Sequence, residues 1–216
     1  MDDRFPRPLR FLVDKLSFIS MPNLGTLIAG LAILGFVGQN MLNAPMDRFL
    51  FDPQAFMAGE YWRLFAFPTL NDPIWLLFFC MYVYFIFGML ETNWGEAPTT
   101  IFTLLSYLAA LGASFFAGVP LSVWTSVMEN VSLAFGTLFP EMEFYLFFIL
   151  PVKAKYLALL AGGLFLYQFF TGSMAVKGYL AIMLSPYILF FAPLLVSTIR
   201  SRLAIARNRR RFGDDR

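Results

Sequence analysis

Six long apolar segments, interrupted by short turns and one long connection, leave this chain almost no way to fold as a soluble body. They run at about Leu24 to Met41, Ile74 to Leu90, Pro98 to Gly118, Val123 to Phe139, Lys155 to Phe170 and Tyr179 to Ile199. A helix needs about 20 predominantly apolar residues to cross a hydrocarbon core of about 30 Å, and each segment is near that length. Several lie at the short end, which suggests tilt or local thinning of the surrounding bilayer. Composition agrees: 59% of the 216 residues are hydrophobic and 14% charged, too few charges to clothe a soluble surface. No small-x-small cleavage pattern follows the first apolar run, so it is read as a retained span. With no linker or obvious internal repeat, the expected organisation is a cytosolic or interfacial segment at 1–22, one membrane domain at 23–199 and a basic cytosolic tail at 200–216.

Charge placement orients the spans. If both termini are cytoplasmic, Arg4, Arg7, Arg10, Lys15, Lys153, Lys155 and the seven arginines from Arg200 to Arg216 lie inside, leaving Arg48, Arg63 and Lys177 outside. Thirteen of the 16 basic residues on one side is a strong positive-inside bias, and it favours an even number of spans. Tryptophans read as end markers: Trp75 and Trp124 at outer ends, Trp94 at an inner end, Trp62 in the first outer loop. Leu9, Leu12, Leu16 and Ile19 can line one side of a short interfacial helix, or the segment is a loose tail. Arg207 to Arg211, beside a span, suit anionic lipid headgroups better than nucleic acid.

The chain contains no histidine and a single cysteine, Cys80. Those counts remove a histidine general base, the histidine of a serine dyad or triad, an intrachain disulfide and a cysteine-only metal cage. No catalytic residue, metal or cofactor is expected.

The stretch Trp124 to Pro140 carries the most informative polar groups. Glu129, Asn130 and Ser132 sit inside an apolar run, where a charge or amide is costly unless it is paired or reaches water. On a helix Thr125, Glu129, Ser132 and Gly136 share one polar, small face. Glu129, Asn130, Ser132 and Gly136 are therefore the candidate binding residues. The alternative is a helix crossing packed through its small residues, with its polar atoms satisfied internally.

The connection at 42–73 is too long for a hairpin link, and its aromatic content around `FMAGEYWRLFAF` predicts that it packs on or into the outer surface. There a short amphipathic helix would hide Phe56, Trp62, Leu64 and Phe65 while Arg63 bonds backbone carbonyls. In the third span Ser106, Ala110, Ala113 and Ala117 allow close helix approach, as do Gly162 and Gly163 in the fifth. Gln168 reads as internal glue. Pro186 and Pro193 predict a bend in the sixth, with Ser185 or a neighbour satisfying the freed carbonyls. Residues 139–156 read as an interfacial segment near the cytosolic face.

Several of these stretches together resemble a known family. `GEYWRLFAF` (59–67) resembles the Trp-Arg loop of the rhomboid superfamily, with Trp62 and Arg63 at its centre. `FGMLETNWG` (87–95) is similar to the signature ending that family's second helix and supplies Gly88, Glu91 and Gly95. `ENVSLAFG` and the following `LPVKAKY` look like the fourth helix and its exit, especially in derlin-like members. The resemblance spans roughly residues 20 to 200 and implies an all-α polytopic membrane protein, a six-transmembrane-helix rhomboid-like bundle opened through its first loop and a lateral gate. Active members use a serine on the fourth helix and a histidine on the sixth. Here Val131 takes the nucleophile position, Ser132 the following glycine, and no histidine exists.

The resemblance therefore implies a catalytically inactive, derlin-like pseudoprotease that binds transmembrane segments of client proteins, in membrane-protein quality control. Its partners would be those clients, membrane lipids, and a protease or extraction machine, with no nucleic acid. Its place would be the bacterial cytoplasmic membrane or the eukaryotic endoplasmic reticulum membrane. Two other classes stay open: a small-molecule or ion transporter, which lacks an inverted repeat here, and an intramembrane protease with a non-histidine mechanism, for example Ser132 or Ser173 with Lys177.

Overall fold

Local capping chemistry decides where the apolar runs become helices. The structure is a computed structural model that describes residues 15–41, 45–65, 67–68, 70–146 and 150–192. Helix α1 spans Leu24–Met41. Helix α2, Pro73–Asn93, starts where the Asp72 carboxylate accepts from the Ile74 amide at 2.7 Å and Pro73 needs no donor of its own. Helix α3, Glu96–Ala117, begins at Gly95, whose φ of +106° is open to glycine and strained for other residues. Helix α4, Val123–Leu138, stops just before Phe139 and Pro140, because a residue preceding proline avoids helical ψ. Helix α5 is Ala154–Thr171, and α6, Met174–Met183, is capped by Ser173, whose Oγ accepts from the Val176 amide at 3.5 Å. After Leu184 the chain resumes as α7, Ser185–Ala192, bent by 54° from α6.

The molecule is mostly helical. α1, α2 and α3 are each long and apolar enough to cross a membrane, and the bent pair α6–α7 makes a fourth if taken as one span. α4 has 16 residues, and α5 carries Lys155 and Gln168 within its 18, so neither reaches that measure alone. The first five apolar segments coincide with α1 to α5 within a few residues at each end. In the sixth, the helix begins at Met174, five residues before the apolar run suggests, because Ser173 is an N-cap. Pro193 and the remainder of that segment, the basic tail at 200–216, Arg4, Arg7 and Arg10 lie outside the described residues.

One expectation is corrected outright: the architecture is not purely α. Residues 139–156 contain a two-stranded antiparallel hairpin, β1 Glu143–Leu146 and β2 Leu150–Lys153, paired from Glu143 with Lys153 to Leu146 with Leu150. Its sequence is rich in aromatic and branched residues, and Pro151 is tolerated because two strands have only edges. Glu141 closes the base, accepting from Lys153 Nζ at 2.7 Å and Lys155 Nζ at 2.6 Å.

α3 sits at the centre, packing on α2, α4 and α6, while α1 leans on α2 and α5 on α4. The small face read from the sequence is where α6 lies: Ala113 packs with Leu180 and Met183, and Gly112 faces Ile182. Gly25 of α1 meets α2 so closely that a Cβ would stand 2.9 Å from Phe87 Cβ and 3.0 Å from the Val83 carbonyl. The proline bend has its carbonyls met as expected. Ser185 Oγ donates to Ile182 O at 2.7 Å, and Asn130 Nδ2 reaches across from α4 to Met183 O at 2.9 Å.

Candidate functional site

Along one face of α4, between α2 and α5, two cavities adjoin. The first, of about 500 Å³, is lined on α4 by Trp124, Thr125, Met128, Glu129 and Ser132, on α2 by Phe79, on α5 by Ala161, Leu164, Phe165 and Gln168, and by Ser122, Pro68 and Leu70 from the connections. The second, of about 350 Å³, continues past Ser132 to Phe135 and Gly136, walled by Tyr82 and Ile86 of α2 and by Ala154, Leu157, Ala158 and Ala161 of α5. α2 and α5 barely touch each other, so the groove opens sideways between them.

Its shape follows from how residue size changes along α4. At Gly136 a Cβ would run into Ala158 and come within 3.1 Å of the Ala154 carbonyl, so here α4 and α5 cross in contact. Toward Glu129 and Thr125 larger residues take over, and the helices part. The stretch thus combines a small-residue crossing at Gly136 with a cavity at Glu129. Ser132 divides the two. Its hydroxyl donates to Met128 O at 2.5 Å, and since a hydroxyl has one proton, the hydrogen bond it shares with Tyr82 must have Tyr82 as donor.

Asn130 is placed elsewhere. It is fully buried on another side of α4, with Nδ2 bonded to Ser126 O at 3.1 Å and Met183 O, and Oδ1 without a partner. Val131 is also fully buried and lines neither cavity. A one-residue step on a helix turns a side chain by about 100°, which separates Asn130 from Glu129 despite their adjacency.

The Trp-Arg connection is held as its guanidinium suggests. Arg63 Nη1 donates to the carbonyls of Asp47 at 2.6 Å and Leu50 at 3.1 Å, while Nε pairs with Glu60 at 2.5 Å. Tyr107 of α3 donates to Leu64 O at 2.6 Å, and Phe51 forms a two-bond bridge with Leu121. Phe56 and Leu64 pack on the core, while Trp62 and Phe65 stand exposed on the protein's own surface. Tyr61–Phe65 is a 3-10 helix, and its three-residue repeat puts Trp62 and Phe65 on one outer face. Trp124 differs from a lipid-facing marker: it is buried against Tyr107.

At the opposite end Glu91 caps α1, its Oε1 accepting from the Leu24 amide at 2.7 Å. That places a carboxylate where unpaired helix donors concentrate. Gly95 turns α2 into α3, and Trp94 beside it stacks edge-on with Phe102 and Phe190. Gly88 lines a shallow pocket with Asn23 and Glu91, with open space where its Cβ would be. Tyr82 and Gly25 were not singled out from the sequence. Phe79, Tyr82 and Ile86 share one face of α2 by spacing, and a hydroxyl on that face is the signal that could have marked Tyr82.

Fold and groove together describe a mostly helical chain with three or four helices long and apolar enough to cross a membrane, and a mostly apolar cleft that contains one carboxylate. No protein-family model, curated protein or solved structure matches the chain.

Proposed function

We propose that this protein is a catalytically inactive, rhomboid-like membrane protein that holds transmembrane segments of other proteins in the groove between α2 and α5. The observation that carries the reading is the pair of adjoining cavities along α4, open sideways at the level of the spans. A groove open toward lipid along its length suits a helix as guest better than a soluble ligand. The finer architecture belongs to the same proposal: six spans, with α4 and α5 as the short central ones and α6–α7 as a bent sixth. α4 rises about 24 Å at 1.5 Å per residue, and its flanking helices shield it from much of the lipid. The Phe51–Leu121 bridge supports an outer assignment shared by the first connection and the α3–α4 turn. Multi-pass insertion with both ends cytoplasmic, and work in membrane-protein quality control beside a protease or extraction machine, rest on the charge bias and the family resemblance.

Inactivity is supported at Ser132. Its hydroxyl proton is held by the Met128 carbonyl, no lysine lines either cavity, and the chain has no histidine to act as base. Photocrosslinkers placed at Phe79 and at the outward-facing Leu34, in native membranes, test the proposal. Crosslinks from Phe79 should map to transmembrane spans of other proteins, and those from Leu34 should not. Equal protein capture from both positions, or turnover of a transmembrane substrate lost in Ser132→Ala, would overturn it.

A further inference from the structure

We infer that the groove selects helices carrying a lysine or arginine in the half of their span nearest the first connection, with Glu129 as the residue that reads the charge. The inference rests on the client-binding proposal above and deepens it.

Glu129 is the one ionisable group lining the larger cavity, whose other polar members, Ser122, Thr125, Ser132 and Gln168, are uncharged. Among the described residues no hydrogen bond or ion pair reaches its carboxylate. Its polar neighbours on α4 do have partners: Thr125 on Ser122, Ser132 on Tyr82, Asn130 on Met183. Glu129 shares the cavity lining with Phe79, Trp124, Leu164 and Phe165, and the Tyr179 phenol of α6 lies near enough to interact with its charge, so a guest that fills the cavity displaces water from around the carboxylate. An all-apolar helix would then seal in an unpaired charge, and an acidic one would add repulsion. A basic helix does the reverse. Its cation is itself costly in hydrocarbon, and it gains a charge-assisted hydrogen bond in the groove that lipid cannot offer. Phe79, Trp124 and Phe165 line the same space, and aromatic rings attract a nearby cation.

Depth follows from α4. Glu129 lies seven residues beyond the N-cap Ser122, about 10 Å along the axis, on the end tied to the first connection through Leu121 and Phe51. Within that distance a lysine or arginine stem spans the remaining offset.

The full chain, reconstituted in liposomes with a photocrosslinker at Leu164, tests this against three host helices identical except for Lys, Leu or Glu about 10 Å from one end. The lysine helix should be captured about tenfold more than the leucine helix, equivalent to about 1.4 kcal/mol. Glu129→Gln, nearly the same shape, should bring that ratio close to one, with capture of the lysine helix falling and capture of the leucine helix rising as the buried charge is removed. Glu129→Lys should transfer the preference to the glutamate helix, a result that a merely structural role for Glu129 would not produce. Equal capture of lysine and leucine helices by the parent, or a ratio that survives Glu129→Gln, overturns charge selection and leaves the groove proposal standing. Failure to capture any of the three overturns the groove proposal and this inference with it.

Discussion

Arg63 holds three acceptors of the first connection at once, and its side chain is only 10% exposed. Truncating it leaves the carbonyls of Asp47 and Leu50 without their donor, at a cost of about 1–3 kcal/mol where those groups are shielded from water. Arg63→Ala should therefore unfold at a lower temperature than the parent in both detergent and lipid, and Arg48→Ala, an exposed residue, should not; matching melts for both variants would remove this role. Gly25 offers a second test, with Gly30 of the same helix as its control. A methyl at Gly25 must push α1 off Phe87 and the Val83 carbonyl, whereas one at Gly30 meets nothing within 4 Å. Gly25→Ala should lose about 1–3 kcal/mol by overpacking. Gly30→Ala should hold its stability or gain about 0.5–1 kcal/mol from helix entropy, as read by thermal unfolding of both in the same lipid. Arg63 was legible in the sequence because five fixed donors in an apolar loop need acceptors nearby. Gly25 was not, because nothing local distinguishes a glycine at a helix crossing from one facing lipid. The same limit applies to Asn130: its partner, the Met183 carbonyl, comes from a bend 53 residues away.

The hairpin between α4 and α5 is the element whose stability should depend most on acidity. Hydrogen bonds from Lys153 and then Lys155 hold the Glu141 carboxyl down at about 2, against an ordinary 4.5, and Glu141 correspondingly raises Lys153. A carboxyl depressed in the folded state contributes stability above its unfolded value and loses it as pH falls through the folded one. The base of the hairpin should accordingly be intact above pH 4.5 and open progressively toward pH 2. Amide exchange in the two strands should rise over that window in the parent and stay flat in Glu141→Gln, and salt should weaken the contrast because the pair is exposed. If exchange in the parent is also flat, the lysine pairs do not hold the strands. The first five helix positions could be read from hydropathy alone to within a few residues at each end. The strands could not, since `EFYLFFIL` is equally a buried helical run, and periodicity does not separate the two.

Taken whole, the molecule has two ends, each tied together by its own contacts. The first connection and the α3–α4 turn meet at one, through Phe51 and Leu121. At the other the start of α1, the end of α2 and the start of α3 meet, through Glu91, Thr100 and Leu24. With Cys80 replaced by serine, a membrane-impermeant thiol reagent added from outside should label Arg48→Cys in intact cells and leave Glu96→Cys untouched until the membrane is permeabilised. Labelling of Glu96→Cys from outside would invert or break the six-span proposal. The lateral groove was not legible in the sequence, because it depends on α2 and α5 failing to meet, and a sequence carries no sign of a contact left unmade. The Phe51–Leu121 bridge also orders events during synthesis. Its two halves are 70 residues apart, so at about 5–20 residues per second the first connection waits roughly 4–14 s before its partner residue exists. Throughout that interval Phe51, and Phe56 beside it, have no Phe115 to pack on. The nascent chain must carry an unfinished aromatic surface until α3 is in place, and a chaperone or insertion factor that engages this connection would act there, before the bridge closes.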